Sequence, residues 1–234
     1  MKEDICSIPI SDVFLPKDGC PICRMTRTVE EHLVDYITGA AMMEPDVREE
    51  TNRMGFCPAH YRQMLTRRNR LSVALTLETH LQSLRSLVDF GGKTPGKDQL
   101  AGLHTAAHDC FVCRKTEWAV SRMLDTVFVL WQKEPDFRAL YEAQTDFCLA
   151  HAELLLRCGQ KAMNRKNYAL FAASTVRVLN KALVRAQEDV SAYCKMYDYR
   201  NSGGDWRATK NAIEYAVAFL SGEPVNESKP EEST

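Results

Sequence analysis

The chain has 234 residues, 45% hydrophobic and 26% charged, with 30 basic and 31 acidic side chains and a formal net charge of −1. That is enough apolar material for one or two real cores, and the balance is that of a folded globular chain rather than a disordered one. The near-neutral charge excludes a global field that would draw nucleic acid or anionic membrane. No apolar run, that over 127–131 included, approaches the ~20 residues of a membrane span.

The opening stretch, 1–16, has no basic start followed by an apolar run, so no secretory leader is expected and a cytoplasmic location is. The nine cysteines stand at 6, 20, 23, 57, 110, 113, 148, 158 and 194. An odd count in a reducing compartment argues against a disulfide framework and for a metal or a redox dithiol.

The first such feature is Cys20-Pro-Ile-Cys23. After it, Val29, Leu33, Tyr36, Ile37 and Ala40 fall at helical spacing. Pro45 suits the first turn of a short helix, Gly55 its end and Pro58 the start of the next. Cys57 and His60 then lie about one turn apart on one face. Residues 71–88 continue as helix. The segment 91–98, Gly-Gly-Lys-Thr-Pro-Gly-Lys-Asp, comes near a phosphate-binding loop. It has Asp98 where a magnesium-binding hydroxyl belongs, and a helix rather than a strand precedes it, so it reads as a linker. His104 and His108 share a helix face and could bind metal, but the first copy has nothing equivalent; they read as solvated or capping histidines. His80 reads as a core-edge residue.

From Cys110 the pattern repeats. Cys110 and Cys113 match Cys20 and Cys23, and Asp125 matches Asp35. The string Glu134-Pro135-Asp136-Phe137-Arg138 matches Glu44-Pro45-Asp46-Val47-Arg48 without a gap. One extra residue later, Phe147-Cys148-Leu149-Ala150-His151 matches Phe56-Cys57-Pro58-Ala59-His60. Ordered agreement of this kind marks a duplicated half. Beyond it, Leu170, Ala173, Val176, Leu179, Leu183, Ala186, Val190 and Tyr193 form a long helical stripe. A last helix is expected near Asp205, burying Ile213, Ala216, Val217 and Leu220. No strand alternation is visible.

The expected fold is therefore all-α, two pseudo-repeated zinc-braced helical halves plus C-terminal helices. The expected boundaries are 1–90 for the first zinc-binding repeat, 91–109 for a linker and 110–200 for the second repeat. A C-terminal helix follows over 201–222 and a polar, disordered tail over 223–234.

Each copy offers three thiols and one imidazole, the four-ligand set of a structural zinc. The expectation is two Zn²⁺ per chain, one held by each copy: Cys20, Cys23, Cys57 and His60, then Cys110, Cys113, Cys148 and His151. An iron–sulfur cluster or a thioredoxin-like dithiol remain the alternatives, though a dithiol enzyme would want a strand before its Cys-x-x-Cys. The repeated acid-Pro-acid-x-Arg string has two readings. It is a helix start, or Glu44, Asp46, Arg48, Glu134, Asp136 and Arg138 surround the ligands and fix the outer ring nitrogens of the histidines. Cys6, Cys158 and Cys194 lie outside the repeat and read as small buried residues.

Two stretches, Arg62, Arg67, Arg68, Arg70 and Arg157, Lys161, Arg165, Lys166, Arg177, Lys181, Arg185, are basic without interleaved acids. They read as solvated helix faces, with phosphate contact the alternative.

The strings over 43–48, Thr51-Asn52, Gly55 to His60 and Tyr197-Asp198-Tyr199-Arg200-Asn201 resemble a bacterial family of domains of unknown function. Its marks are duplicated CxxC and FCxxH motifs and a C-terminal DYRN motif. The resemblance covers most of the chain and implies no activity. Asp198, Tyr199, Arg200 and Asn201 with Trp206 form either a capped turn or a polar pocket. The functional expectation is a non-enzymatic zinc-binding protein with a binding or scaffold role and a protein partner. Nucleic-acid binding, and thiol-redox or metal-trafficking activity, stand as alternatives.

Overall fold

The computed structural model describes residues 8–197 and 210–222. Among these residues the chain is all α-helix with no strand. The helices, in order, are α1 (Ile8–Phe14), α2 (Pro21–Ile37), α3 (Pro45–Met54), α4 (Pro58–Thr66), α5 (Arg70–Leu87), α6 (Lys97–His108), α7 (Phe111–Lys133), α8 (Pro135–Glu142), α9 (Leu149–Ala162), α10 (Arg165–Met196) and α11 (Ala212–Ser221). A 3₁₀ turn, Ala40–Met43, joins α2 to α3. The order of elements fits the duplication read from the sequence, with α2, α3, α4 and α5 in the places that α7, α8, α9 and α10 hold later.

Local sequence accounts for the helix ends. Pro45, Pro58 and Pro135 open α3, α4 and α8, where a missing N–H costs nothing. Asn69 and Asn164 cap α5 and α10, accepting from the backbone N–H of Ser72 (3.2 Å) and Asn167 (2.9 Å). Segment 91–109 is more than a connection. Gly91 and Gly92 turn with positive φ, and α6 then begins at Lys97 with Asp98 in its first turn. A helix also precedes this stretch, so it lacks the strand-loop-helix frame of a phosphate loop.

By spatial contact the chain forms two compact units, one of residues 26–121 and one of 1–25 with 122–234. This grouping cuts across the sequence duplication, and α2 and α7 each pass from one unit into the other. In the 26–121 unit, Val34, Ile37, Met54, Phe56, Met64, Val73, Phe111 and Val112 make one buried cluster. In the second unit the core is aromatic. Tyr141 lies 5.9 Å from Phe14, 4.9 Å from Phe147 and 5.3 Å from Phe171, centroid to centroid. Phe171 also meets Phe128 and Trp131 edge-on, contacts that add to simple area burial. Gly159 lets this packing close up, because a Cβ there would sit 3.0 Å from the Phe171 ring, which would have to give way. The Tyr141 hydroxyl is satisfied at 2.7 Å from Thr175 Oγ1.

The long stripe on α10 faces inward through Phe171, Ser174, Thr175, Val178, Ala182 and Ala186. Leu170, Val176 and Leu183, expected inside, are exposed. The inward face is thus displaced by about one residue from the one the apolar pattern marks. In α11 the buried residues are Ala212 and Phe219, while Ile213, Val217 and Leu220 are exposed. Among the described residues no helix is long and apolar enough to cross a membrane.

Candidate metal centres

Each Cys-x-x-Cys and each Cys-x-x-His sits at a helix start in the same register. Cys57 and Cys148 are the N-cap residues of α4 and α9, and His60 and His151 follow one turn later. Cys20 and Cys110 immediately precede α2 and α7, and their carbonyls accept from the N–H of Arg24 (3.3 Å) and Arg114 (3.0 Å). Cys23 and Cys113 then stand in the first turn. The cap position and the third helical position face each other at a helix start, the geometry that lets a capping box close. Here the two positions carry metal ligands.

Four helix starts make two clusters. Cys20, Cys23, Cys148 and His151 form one; Cys57, His60, Cys110 and Cys113 form the other. In each, the four ligand atoms all lie within 4.8 Å of one another. The expectation that each sequence copy closes its own site is corrected: the Cys-x-x-Cys of one copy meets the Cys-x-x-His of the other. Helices of unequal length separate the two motifs within a copy: α2 has 17 residues, about 25 Å, against 10 and about 15 Å for α3, and α7 has 23, about 35 Å, against 8 and about 12 Å for α8.

Short-range contacts lock the crossed arrangement. In the 26–121 unit the carbonyl of Gly55 accepts from Phe111 N–H at 3.0 Å, laying the strand of backbone before Cys57 beside Cys110. Gly55 has φ +64°, and a Cβ there would stand 2.8 Å from His80 Nε2. Buried His80 is oriented by the Asn52 carbonyl, 2.8 Å from its Nδ1. In the other unit Gln144 Nε2 donates to Phe14 O (2.8 Å) and Thr145 Oγ1 to Lys17 O (2.9 Å). These bonds clamp the loop before Cys148 to the one before Cys20. The arginine after each Cys-x-x-Cys grips an acid just before it: Arg24 pairs with Asp18, and Arg114 with Asp109 at 2.9 Å.

The edges of the clusters fit a tetrahedral ion. With Zn–S of about 2.3 Å and Zn–N of about 2.0 Å, S···S edges come to about 3.8 Å and S···N edges to about 3.5 Å. Observed S···S edges are 3.6 Å for Cys23–Cys148 and 3.9 Å for Cys57–Cys113. From His60 Nδ1 the sulfurs of Cys57, Cys110 and Cys113 lie at 3.1, 3.3 and 3.5 Å. From His151 Nδ1 those of Cys148, Cys23 and Cys20 lie at 3.1, 3.2 and 3.7 Å. Both clusters can hold a metal ion, through Nδ1 of each histidine.

The thiols of each cluster shift one another. Hydrogen bonds from Cys20 and Cys23 drop the Cys148 thiol to about 3, while the same contacts push Cys23 upward. Burial opposes ionisation of Cys110, yet hydrogen bonds from His60 and neighbouring groups bring it down to about 6. Burial, and then Cys110 and Cys57, push Cys113 upward. Three thiolates and one Zn²⁺ would leave a net charge of −1. Two helix N-termini, each worth about half a positive charge, converge on it.

The carboxylate at the outer nitrogen of His60 is Glu30, with Oε1 3.7 Å from Nε2. The repeat pattern gave no sign of it, because the matching position in the second copy is Val120. The acid-Pro-acid-x-Arg strings open α3 and α8. Glu44 and Glu134 are the N-cap residues, with Asp46 and Asp136 in the first turns. Glu44 accepts from the Tyr36 hydroxyl at 2.7 Å. Arg138 reaches back to cap α7, donating to Trp131 O at 3.1 Å with its guanidinium 4.4 Å above the indole. Thr51 Oγ1 donates to the Arg48 carbonyl.

The remaining candidates fall elsewhere. His104 and His108 are exposed on α6 with ring centroids 4.5 Å apart. Cys158 is half-buried, and Cys194, expected inside, is exposed. Asp198, Tyr199, Arg200, Asn201 and Trp206 lie outside the described residues, as do Cys6 and the tail 223–234. In the basic stretches several side chains are already neutralised: Arg67 by Asp35 (2.7 Å), Arg157 by Glu153 (2.8 Å), Arg177 by Glu142 (3.8 Å) and Arg185 by Asp146 and Asp189. A groove of about 880 Å³ in the 26–121 unit is lined by α3, α5 and α6, with Leu84, Leu87 and Gly102 beside Arg48, Glu49 and Arg53.

Neither the curated proteins nor the solved structures gave a match to this chain. A family model does match, over residues 1–227, and the chain belongs to that family, the family of unknown function DUF6062.

Proposed function

We propose that each crossed cluster binds one Zn²⁺ and that the protein is a zinc-braced helical binding or scaffold protein rather than an enzyme. The observation that carries this reading is the complete ligand set. Three sulfurs and one ring nitrogen at tetrahedral edge lengths leave no metal position for a substrate. Zinc there ties helix starts that are far apart in sequence, so binding energy becomes folding energy. A cytoplasmic setting, where thiols stay reduced, suits cysteines held free. The partner on this reading is another protein, and the groove between α3, α5 and α6 is the surface offered to it.

The test is metal content and ligand-field spectrum. Protein purified without added metal should carry two zinc per chain, falling to one in Cys57→Ser and to one in Cys148→Ser. Cobalt-substituted protein should show tetrahedral sulfur-rich bands that added imidazole or azide leaves unchanged. Protein that holds no metal, or cobalt bands that shift with those ligands, would overturn the reading.

A further inference from the structure

The two clusters share a ligand set but not a surrounding. Around Cys20, Cys23, Cys148 and His151 the chain closes over the sulfurs. The C-terminal turn of α11 places Gly222 O 3.1 Å from Cys23 Sγ. A Cβ on Gly222, whose φ is +76°, would stand 3.4 Å from Cys148 Sγ. That turn is anchored: Tyr215 donates to buried Asp146, two residues before Cys148, and Arg185 stacks 4.3 Å from the Tyr215 ring. No ligand of this cluster is exposed.

The second cluster is open at one corner. His60 and Cys110 are buried and Cys57 is half-buried, but Cys113 is exposed, the one exposed ligand of the eight. Its sulfur stands in the first turn of α7, and bound zinc would hold it as the thiolate. Two further sulfurs lie within disulfide-forming reach, Cys110 three residues before it and Cys57 Sγ at 3.9 Å. Susceptibility to oxidation follows thiolate character and exposure, and a neighbouring thiol makes the outcome reversible.

We propose that the cluster of Cys57, His60, Cys110 and Cys113 is an oxidation-sensitive zinc switch, and that the cluster of Cys20, Cys23, Cys148 and His151 is the permanent brace. The proposal rests on zinc occupying both clusters, as argued above. The oxidant is a peroxide. The Cys113 thiolate attacks one peroxide oxygen; an S–O bond forms, the O–O bond breaks, and the departing hydroxide takes a proton to become water. The Cys110 thiolate then attacks the Cys113 sulfur. An S–S bond forms, the S–O bond breaks, and the second hydroxide leaves as water after taking a proton. Two sulfurs together lose two electrons, one peroxide becomes two waters, and the zinc keeps only Cys57 and His60 and departs. A dithiol reductant and zinc restore the starting state.

The experiment uses full-length protein whose zinc content has first been measured at two per chain; a lower value would refute the metal reading before any oxidant is added. Hydrogen peroxide is supplied with a chromogenic zinc chelator present, and alkylated peptides are mapped by mass spectrometry as zinc appears. One zinc per chain should leave roughly tenfold faster than the other. The early disulfide should join Cys110 and Cys113, and reduction with added zinc should reverse it. Cys113→His keeps a four-ligand shell without the exposed thiolate, so its fast phase should disappear while two zinc are retained. Equal release rates, or first oxidation at Cys20, Cys23 or Cys148, would overturn the proposal.

Discussion

The crossed pairing can be tested by counting metal in double mutants. Any one of Cys20→Ser, Cys57→Ser or Cys148→Ser should reduce two zinc to one. The pairs then separate the two arrangements. With crossed sites, Cys20→Ser and Cys148→Ser damage the same cluster, so the double mutant keeps one zinc. Cys20→Ser with Cys57→Ser damages both clusters and should keep none. If each copy closed its own site, the two results would be exchanged.

The magnitude should be large, because structural zinc contributes apparent binding of about 10–16 kcal/mol near neutral pH. Losing one of four ligands is therefore expected to empty a site at micromolar protein under a competing chelator. The structural basis is the grouping of the ligand atoms, which in each crossed cluster all lie within 4.8 Å of one another. Elemental analysis on gel-filtered protein reads the outcome as whole numbers. One zinc in Cys20→Ser with Cys57→Ser, and none in Cys20→Ser with Cys148→Ser, would refute the crossed arrangement outright.

Three further outcomes are expected. Glu30→Gln removes the charge facing His60 Nε2 at 3.7 Å and should weaken zinc at that cluster by about 10- to 100-fold in chelator competition, leaving the other cluster unchanged. Gly55→Ala puts a Cβ against His80 on backbone of positive φ, and should cost about 1–3 kcal/mol in urea unfolding, with the 26–121 unit the one affected. In metal-free protein Cys110 is lowered from 9.0 to about 6, and His60 is raised from 6.5 to about 10 by Cys110 and Glu30 against the effect of burial. The stability due to the Cys110 thiolate is then complete above 9.0 and lost as pH falls through about 6. That due to charged His60 is complete below 6.5 and lost as pH rises through about 10. Thiolate absorbance near 240 nm should show a step near 6, above that of Cys148 near 3, and should lose it in Cys110→Ser; the absence of a step near 6 would contradict this pairing.

Helix placement was legible because its signals are local. Pro45, Pro58 and Pro135 open helices where the sequence marks them, and Cys57 and His60 share a face as the three-residue spacing demands. The inner faces of α10 and α11 were less so. Val176 and Leu183 fit a helical stripe, but which of several overlapping stripes is buried depends on neighbours, and those are distant in sequence. Segment 91–109 looked like a connection because Gly91, Gly92, Pro95 and Gly96 dominate its opening; its second half has ordinary helix formers and builds α6. Glu30 was invisible for a sharper reason. The repeat drew the eye to acids present in both copies, and Glu30 is answered by Val120.

The ligand types were legible and their grouping was not, and the difference is physical. A Cys-x-x-Cys or a Cys-x-x-His is a statement about one helix start, and each was readable alone. Which two starts meet depends on the lengths of the helices between them, a quantity that periodicity blurs by a turn or more at each end. Sequence proximity favoured pairing within a copy, since closing the shorter loop costs less chain entropy. That preference is weak: tripling a loop from about 30 to about 90 residues adds only about 1 kcal/mol. Against it stand the Gly55–Phe111 backbone bond and the Gln144 and Thr145 clamps, each tying the loop before one copy's Cys-x-x-His to the other copy's Cys-x-x-Cys or the segment that leads into it. Contacts made by the folded loops thus decide a pairing on which chain entropy barely votes.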